Sequence, residues 1–228
     1  MPARNSVKSY MENGYYHIYN RGVDKGRIFR DEKDYSIFLS YLKEYLLEKD
    51  EKKLHLQLAN PSLSYQEREK INKVLMLNNF SDEMKMLSYC LMPNHFHFLL
   101  KQRSPETIDI FMNSFATRYT MYFNRRHKRI GPLYQGVYKA VLVNSDEQLL
   151  YLSLYIHKQA LASKGVAFGG WETKQPCSFP EYLGKRQTEW IKTDEILAYF
   201  SKEDPYASYE KFVMEEPDLK LISKIMID

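Results

Sequence analysis

Two histidines stand one residue apart in the segment CLMPNHFHFLLKQ, at positions 95 and 97. Side chains two positions apart in a β-strand point to the same side, so His95 and His97 share one face, while Phe96 and Phe98 share the other. Two neutral imidazoles side by side can offer two nitrogen ligands to a divalent metal. The alternative is a strand whose solvent face carries two histidines by chance, because short motifs have many false positives.

A second candidate group lies in LYLSLYIHKQALASKG, residues 150–165, whose apolar residues recur with helical periodicity. Tyr155 and Gln159 are four residues apart and therefore lie on one helix face. The amide oxygen of Gln159 is a candidate third ligand, and an oxygen ligand favours Mg²⁺ or Mn²⁺. Tyr155 would then lie one turn from the metal, with its hydroxyl as a candidate nucleophile. The alternative is an amphipathic helix that buries Tyr151 and Tyr155 in the core.

The elements that must position these residues follow from hydrophobic periodicity and from turn residues. The pattern predicts strands at 15–21, 84–92, 95–102 and 136–143, a helix after Asp31, and helices at about 106–127 and 147–162. Only Pro93 and Asn94 separate the second and third strands, which predicts a hairpin. This β-α-β-β-α-β order predicts an α+β fold of the ferredoxin-like type, with an antiparallel sheet, a helix that carries Tyr155 and a C-terminal tail.

The chain divides into a predicted domain at 1–165 and a C-terminal appendage at 166–228 that packs on it. The domain contains a polar insertion at about 51–82, in which SYQEREKINKVLML is expected to be helical. The appendage is rich in Trp, Pro and Tyr and contains short helical pieces such as DEILAYF.

Composition limits the function classes only loosely. The 228 residues carry a formal net charge of +4, which permits nucleic-acid binding but does not argue for it. The two cysteines, Cys90 and Cys177, form no CxxC motif, which excludes a disulfide framework and a cysteine zinc cluster and suits a reducing cytoplasm. No apolar run approaches membrane-spanning length, so we expect a cytoplasmic protein with no membrane partner.

Taken together, several segments resemble the HUH endonucleases, and specifically the REP-associated tyrosine transposases and the wider single-tyrosine transposase group. The HUH pair is His95-Phe96-His97, in which the middle residue is hydrophobic. The segments that carry the resemblance are YYHIYNRGVDKGRIFRDEKDY, YCLMPNHFHFLL, RYTMYFNRRHKRIGPLYQGVYKAVLV, LYIHKQA, CSFPEYLG and WIKTDEILAYF. They extend over most of residues 15–213, and the insertion at 51–82 is matched least.

The resemblance implies a metal-dependent endonuclease and strand transferase that acts on single-stranded DNA with hairpins or palindromic repeats. It implies that His95 and His97 bind Mg²⁺ or Mn²⁺, that Gln159 is the third ligand, and that Tyr155 forms a 5′-phosphotyrosine intermediate. REP-associated members often have Asn-Pro where this chain has Gln159 and Ala160, and Gln keeps the amide oxygen on a longer arm. The group includes homodimers that share active sites, so the sequence leaves open whether Tyr155 serves its own histidine pair or a partner's.

Basic residues near aromatic residues suit a single-stranded or hairpin substrate, because cations neutralise the backbone and tyrosines stack on bases. The densest basic segment is FNRRHKRIG, at the end of the long helix. The alternative is that these cations complement the helix dipole or form a solvated face. The predicted DNA-binding residues are Arg21, Lys25, Arg118, Tyr122, Arg125, Arg126, Lys128, Arg129 and Lys139.

Two other functions compete with this prediction. The first is a catalytically silent module that binds a DNA hairpin or RNA, since the ferredoxin-like fold is also that of RNA-recognition domains. Such a module would need neither the histidine pair nor Tyr155. The second is a phosphoesterase that activates water on a metal, which would require more carboxylate ligands than the HFH strand supplies. The sequence does not indicate which hairpin is recognised.

Overall fold

A computed structural model of the protein describes residues 10–161 and 175–215. The strands in these ranges are β1 (Tyr15–Arg21), β2 (Met84–Met92), β3 (His95–Gln102) and β4 (Lys139–Val143). The helices are α1 (Glu32–Leu46), α2 (Glu51–Leu58), α3 (Tyr65–Leu75), α4 (Thr107–His127), α5 (Asp146–Leu161), α6 (Phe179–Tyr182), α7 (Asp194–Leu197) and α8 (Pro205–Met214). None of the helices that the structure describes is both long and apolar enough to cross a membrane.

The four strands form one sheet in the order β2-β3-β1-β4, and every neighbouring pair is antiparallel. This order confirms the predicted α+β fold with a ferredoxin-like antiparallel sheet. The β2–β3 hairpin turns at Pro93 and Asn94, as predicted. Strand β1 lies between β3 and β4, where its β-branched and aromatic residues are paired on both sides.

One face of the sheet packs against α1 and α4. Ile18 of β1 and Phe96 and Phe98 of β3 point to this side and are fully buried. The ring of Phe38 in α1 lies 6.0 Å from that of Phe98 and 4.7 Å from that of Phe115 in α4. The predicted alternation along β3 is therefore confirmed, because the phenylalanines lie in the apolar core and the histidines lie on the other face.

The opposite face packs against α5 and the segment 175–215. Its buried apolar side chains include Leu99 of β3, Leu152 and Ile156 of α5, and Tyr182 and Tyr209 of the C-terminal segment. The same face carries the odd-numbered residues of β1 and β3, including both histidines of the HFH motif. The C-terminal segment is thus part of the second core, while the proposed division between a domain and an appendage remains a prediction.

Side-chain caps explain two of the predicted helix starts. Asp31 accepts a hydrogen bond from the backbone N–H of Asp34 at 3.2 Å and caps α1. Ser145 accepts from the backbone N–H of Gln148 at 3.2 Å at the start of α5. These local bonds satisfy helix N–H groups that have no partner within the helix.

The structure differs from the prediction in two elements. The fourth strand begins at Lys139 rather than at residue 136. Just before it, the Asn20 side chain donates to the carbonyl of Gly136, and the backbone N–H of Gln135 donates to the carbonyl of Arg21. These hydrogen bonds take the place of regular strand pairing there. The insertion contains two helices, α2 and α3, where the sequence predicted one. The Asp50 side chain caps α2, and this local signal was missed because the short helix has no strong apolar period.

Candidate active site

Three histidines converge on the α5 face of the sheet. His97 pairs with Tyr19 across β3 and β1, and His17 lies two residues before Tyr19, so both imidazoles point to the same side. The ring centroids of His17 and His97 are 5.1 Å apart, and those of His95 and His97 are 5.0 Å apart. His17 was missed by sequence analysis, although period-two alternation in YYHIYNR places it on the same side as Tyr15 and Tyr19.

The protonation of His95 follows from its neighbour Asn94. The amide nitrogen of Asn94 donates to the carbonyl of Lys25 at 3.2 Å, which leaves the amide oxygen to face Nδ1 of His95 at 2.6 Å. Since an amide oxygen only accepts, Nδ1 of His95 carries the proton and Nε2 keeps its lone pair. Burial, and then the positive charge of Arg21, lower the pKa of His95 to about 4. His95 is therefore a neutral imidazole at neutral pH.

His97 is fully buried, and its two ring nitrogens have different surroundings. Nδ1 lies 2.9 Å from Nε2 of His17. Nε2 of His97 is buried and has no hydrogen-bond partner in the part of the chain that the structure describes. Burial holds the pKa of His97 well below its usual value, and the nearby charges of His17, His95 and Arg21 act in the same direction. A neutral imidazole with a buried unpartnered nitrogen is suited to binding a metal ion.

Tyr155 lies directly over this histidine group. Its ring centroid is 5.5 Å from that of His97 and 6.2 Å from that of His17, both in edge-on geometry. The residue is buried, with an exposed fraction of 5%. The structure therefore brings Tyr155 beside His97 of the HUH pair in the same chain, a contact that the sequence alone does not reveal.

Gln159 lies one turn after Tyr155 on α5 and is half-buried. Helix α5 begins just after Val143, which pairs with Tyr15 at one end of β1, and Tyr155 contacts His17 and His97 further along. The helix thus runs toward the end of the sheet that holds His95, so Gln159 is displaced from Tyr155 by about 6 Å along the helix axis in that direction. This direction suits the predicted third ligand, and ligation by Gln159 remains a prediction.

A continuous chain of hydrogen bonds holds α5 in place. His157 is fully buried, with Nδ1 2.8 Å from the hydroxyl of Tyr209 and Nε2 2.8 Å from the hydroxyl of Ser178. The Tyr209 hydroxyl donates to Ser153 at 3.0 Å, and Ser178 accepts from the backbone N–H of Tyr89 at 2.9 Å. Burial lowers the pKa of His157 to about 3, so this link is neutral. The chain ties the helix of Tyr155 to β2 and to α8.

The predicted DNA-binding residues fall into two groups. The first lies at the end of the sheet that holds His95, because Gly22 bonds the backbone of Asn94 at 2.8 Å and Val23 bonds that of Leu133 at 3.0 Å. Gly22 is required there, since a Cβ would lie 2.1 Å from the carbonyl oxygen of Gly26. The members of this group are the half-buried Arg21 and the exposed Lys25, Arg125, Lys128 and Lys139.

The second group consists of four residues whose polar atoms are used inside the protein. Arg118 bonds Glu44 at 2.6 Å and lies 3.7 Å from the ring centroid of Tyr41. Tyr122 donates to Asp34 at 3.1 Å. Arg126 pairs with Asp31 and Asp34, and Arg129 bonds Asn124 and the carbonyl of Pro132. For these four residues the structure provides an internal role, while DNA contact remains a prediction.

The fold and the histidine–tyrosine group define the class of protein as an α+β protein with an HUH pair beside a helical tyrosine. The model of the family described as "Transposase IS200 like" matches residues 59–159, a range that includes His95, His97, Tyr155 and Gln159. The resemblance to this group of transposases is confirmed over these residues. The match supports a transposase-like DNA-processing function.

One solved structure that resembles the chain is a REP-associated tyrosine transposase bound to a REP hairpin. Its sequence is 8% identical, the alignment covers 83% of this chain and 97% of that chain, and the TM-score is 0.47. No curated protein sequence matches the chain significantly.

Proposed function

We propose that the protein is a single-stranded DNA nicking and joining enzyme in which Tyr155 is the nucleophile. The observation that carries the proposal is the position of Tyr155, whose ring lies 5.5 Å from that of the buried His97. Nε2 of His97 has no hydrogen-bond partner among residues 10–161 and 175–215, and His95 lies on the same face of β3. A nucleophile beside neutral nitrogen ligands suits metal-assisted phosphoryl transfer through a covalent intermediate.

In this proposal, the Tyr155 hydroxyl attacks a backbone phosphorus. A bond forms between the tyrosine oxygen and phosphorus, the bond from phosphorus to the 3′ oxygen breaks, and the hydroxyl proton passes to water or a base. The product is a 5′-phosphotyrosine and a free 3′-hydroxyl. Attack by the 3′-hydroxyl of another strand reverses the step, so the bond energy is conserved and ATP is not needed.

The residues present fit a divalent cation. The buried Nε2 of His97 supplies one donor, and the tautomer set by Asn94 leaves Nε2 of His95 as a second. Within residues 10–161 and 175–215, no group of three or more His, Cys, Asp or Glu side chains could hold a metal ion. As a further ligand we propose the amide oxygen of Gln159, which lies one helical turn after Tyr155. When bound, Mg²⁺ or Mn²⁺ would polarise the scissile phosphate.

The test is covalent capture of labelled DNA. The protein is incubated with Mn²⁺ and a pool of labelled single-stranded hairpins, then separated on a denaturing gel. The variants are Tyr155→Phe and the matched control Tyr19→Phe, which removes a hydroxyl from a ring 6.1 Å from that of His97 on the same face. We expect labelled protein for the wild type and for Tyr19→Phe, and none for Tyr155→Phe.

The other outcomes identify the competing functions. Loss of label in Tyr19→Phe with label retained in Tyr155→Phe would reassign the nucleophile. Cleavage that survives Tyr155→Phe without an adduct would indicate a water-activating phosphoesterase. Hairpin binding by the wild type with neither adduct nor cleavage, across the whole pool, would indicate a silent binding module.

The proposed DNA-binding surface is the basic end of the sheet, in particular the exposed Arg125 and Lys128. Removing both side chains in Arg125→Ala/Lys128→Ala should reduce the slope of log K against log salt by about 2, because each phosphate contact releases counterions. The matched control is Lys52→Ala/Lys53→Ala, which removes two exposed charges from α2. Equal salt slopes for both double variants, measured by fluorescence anisotropy, would contradict this surface.

A further inference from the structure

On the α5 face, two fully buried imidazoles, those of His17 and His97, are in polar contact with each other. Nε2 of His17 lies 2.9 Å from Nδ1 of His97, and the two rings are inclined by 14°. Both residues have exposed fractions of 0%. Two buried imidazoles cost desolvation free energy that two leucines would not, so the pair needs a reason other than packing.

A hydrogen bond between two neutral imidazoles needs one N–H and one lone pair. If His17 donated, Nδ1 of His97 would accept, and the proton of His97 would lie on Nε2. A protonated Nε2 could not bind a metal. If His97 donates from Nδ1, its Nε2 keeps the lone pair, and His17 accepts. Only the second arrangement leaves the buried Nε2 of His97 available as a ligand.

Two other histidines of the chain support this choice. At His95 the amide oxygen of Asn94 requires the same tautomer, with the proton on Nδ1. At His157, which has a structural role, both ring nitrogens have hydroxyl partners at 2.8 Å. His97 differs from His157 because one of its ring nitrogens has a partner, while the other has none among the described residues. This one-sided pattern is that of a ligand held by a neighbour rather than that of a structural histidine.

We propose that His17 is a positioning residue that accepts the Nδ1 proton of His97 and thereby holds Nε2 of His97 as a metal ligand. The inference rests on the proposed metal-dependent function and deepens it. By accepting the proton, His17 fixes both the tautomer and the ring orientation of His97, and it raises the basicity of the ligand nitrogen. His17 itself does not contact substrate or metal in this role.

The first measurement is made on the metal-free full-length protein and therefore does not depend on activity. Long-range ¹H–¹⁵N correlation spectra of ¹⁵N-histidine-labelled protein show which ring nitrogen carries the proton. We expect the proton on Nδ1 of His97 in the wild type and in His17→Gln, whose amide oxygen can accept it. In His17→Leu the proton should redistribute toward Nε2. A wild-type spectrum with the proton of His97 on Nε2 overturns the inference.

The second measurement is the affinity for Mn²⁺, followed by the electron paramagnetic resonance signal of the free ion. Loss of a residue that orients a metal-binding histidine typically weakens affinity by about 10- to 100-fold, so we expect that loss for His17→Leu. His17→Gln should restore the affinity to within about threefold of the wild type. Wild-type affinity in a folded His17→Leu protein overturns the inference.

The two measurements separate the inference from the proposed function. If the wild type binds no Mn²⁺ while His97 carries its proton on Nδ1, the proposed metal function fails and the role of His17 as acceptor stands. If His17→Leu does not fold, the wild-type spectrum and His17→Gln still decide the question. Thermal unfolding of each variant shows which of these cases applies.

Discussion

The two faces of the sheet are made by the same strands but bury different chemistry. On the α1/α4 face, residues such as Ile18 and Phe98 form an aromatic and aliphatic core. On the α5 face, His17 and His97 are just as completely buried. Alternation along one strand therefore places apolar side chains on one side and buried imidazoles on the other. The apolar face provides the free energy of folding that allows polar groups to be buried on the opposite face.

Charged clusters lie at both ends of the sheet and depart from this division between an apolar face and a histidine face. Asp34 is a fully buried carboxylate at the end of the apolar layer, where it pairs with Arg126 and His127. Glu195 of α7 pairs with Lys85 and Lys101 beside the α5 face, at the end away from His95. These two clusters allow the contribution of charge to be measured on each side, against that of apolar packing.

The largest effect should come from the apolar face. Phe98→Ala removes a fully buried ring in contact with Phe38 and Phe115, and core truncations of this kind cost about 3–5 kcal/mol of unfolding free energy. Phe98→Leu, which keeps most of the volume, should cost about 1–1.5 kcal/mol. Urea unfolding monitored by circular dichroism measures both. A loss below 1 kcal/mol for Phe98→Ala would show that this face is not the main source of stability.

A smaller loss should follow Asp34→Asn. The carboxylate accepts from the backbone of Arg30 at 2.9 Å and from Tyr122 at 3.1 Å, and it pairs with Arg126 and His127. Its loss should cost about 2–3 kcal/mol, because several donors lose a buried anionic acceptor, while the partial exposure of Arg126 moderates the effect.

Asp31→Asn is the matched control for Asp34→Asn in the same urea unfolding experiment. Asp31 pairs with the same arginine but is exposed, so its replacement should cost less. Equal losses in the two variants would mean that burial of the carboxylate does not determine its contribution.

The smallest effect on the unfolding free energy should come from Glu195, beside the α5 face, and it should depend on pH. Burial alone would raise the pKa of Glu195, but hydrogen bonds from Lys85, Tyr15 and Lys101 lower it to about 2. A carboxyl with a depressed pKa stabilises the fold above its unfolded pKa of about 4.3, and this contribution is lost as the pH falls toward 2.

Glu195→Gln should therefore lower the unfolding free energy by about 1 kcal/mol at pH 7, after allowance for solvent screening. The difference between this variant and the wild type should shrink between pH 4.5 and about 2. Urea unfolding of both proteins at pH 7, 4 and 3 checks the trend. A difference that is constant with pH would exclude an ionic contribution from Glu195.

The sequence predicted the parts of the molecule that depend on local order. The β2–β3 hairpin, the start of α1 after Asp31 and the periodicity of α4 and α5 are all properties of short segments. His17 could not be predicted as a neighbour of His97, because their contact depends on the register between strands 80 residues apart in the chain. For the same reason, the basic segment 125–129 did not indicate that Arg126 forms ion pairs with Asp31 and Asp34, which are distant in the sequence.

Strand β2 is at the edge of the sheet, and the C-terminal segment runs along its outer side. Leu91 donates to the carbonyl of Pro176 at 2.9 Å, Ser178 donates to that of Tyr89 at 3.0 Å, and Lys192 donates to that of Met86 at 2.9 Å. An open edge of this length would offer unpaired backbone groups to a strand of another molecule. The segment that anchors α5 therefore also protects the protein from edge-to-edge aggregation, and a chain that ended before residue 175 would expose a template for intermolecular β-pairing.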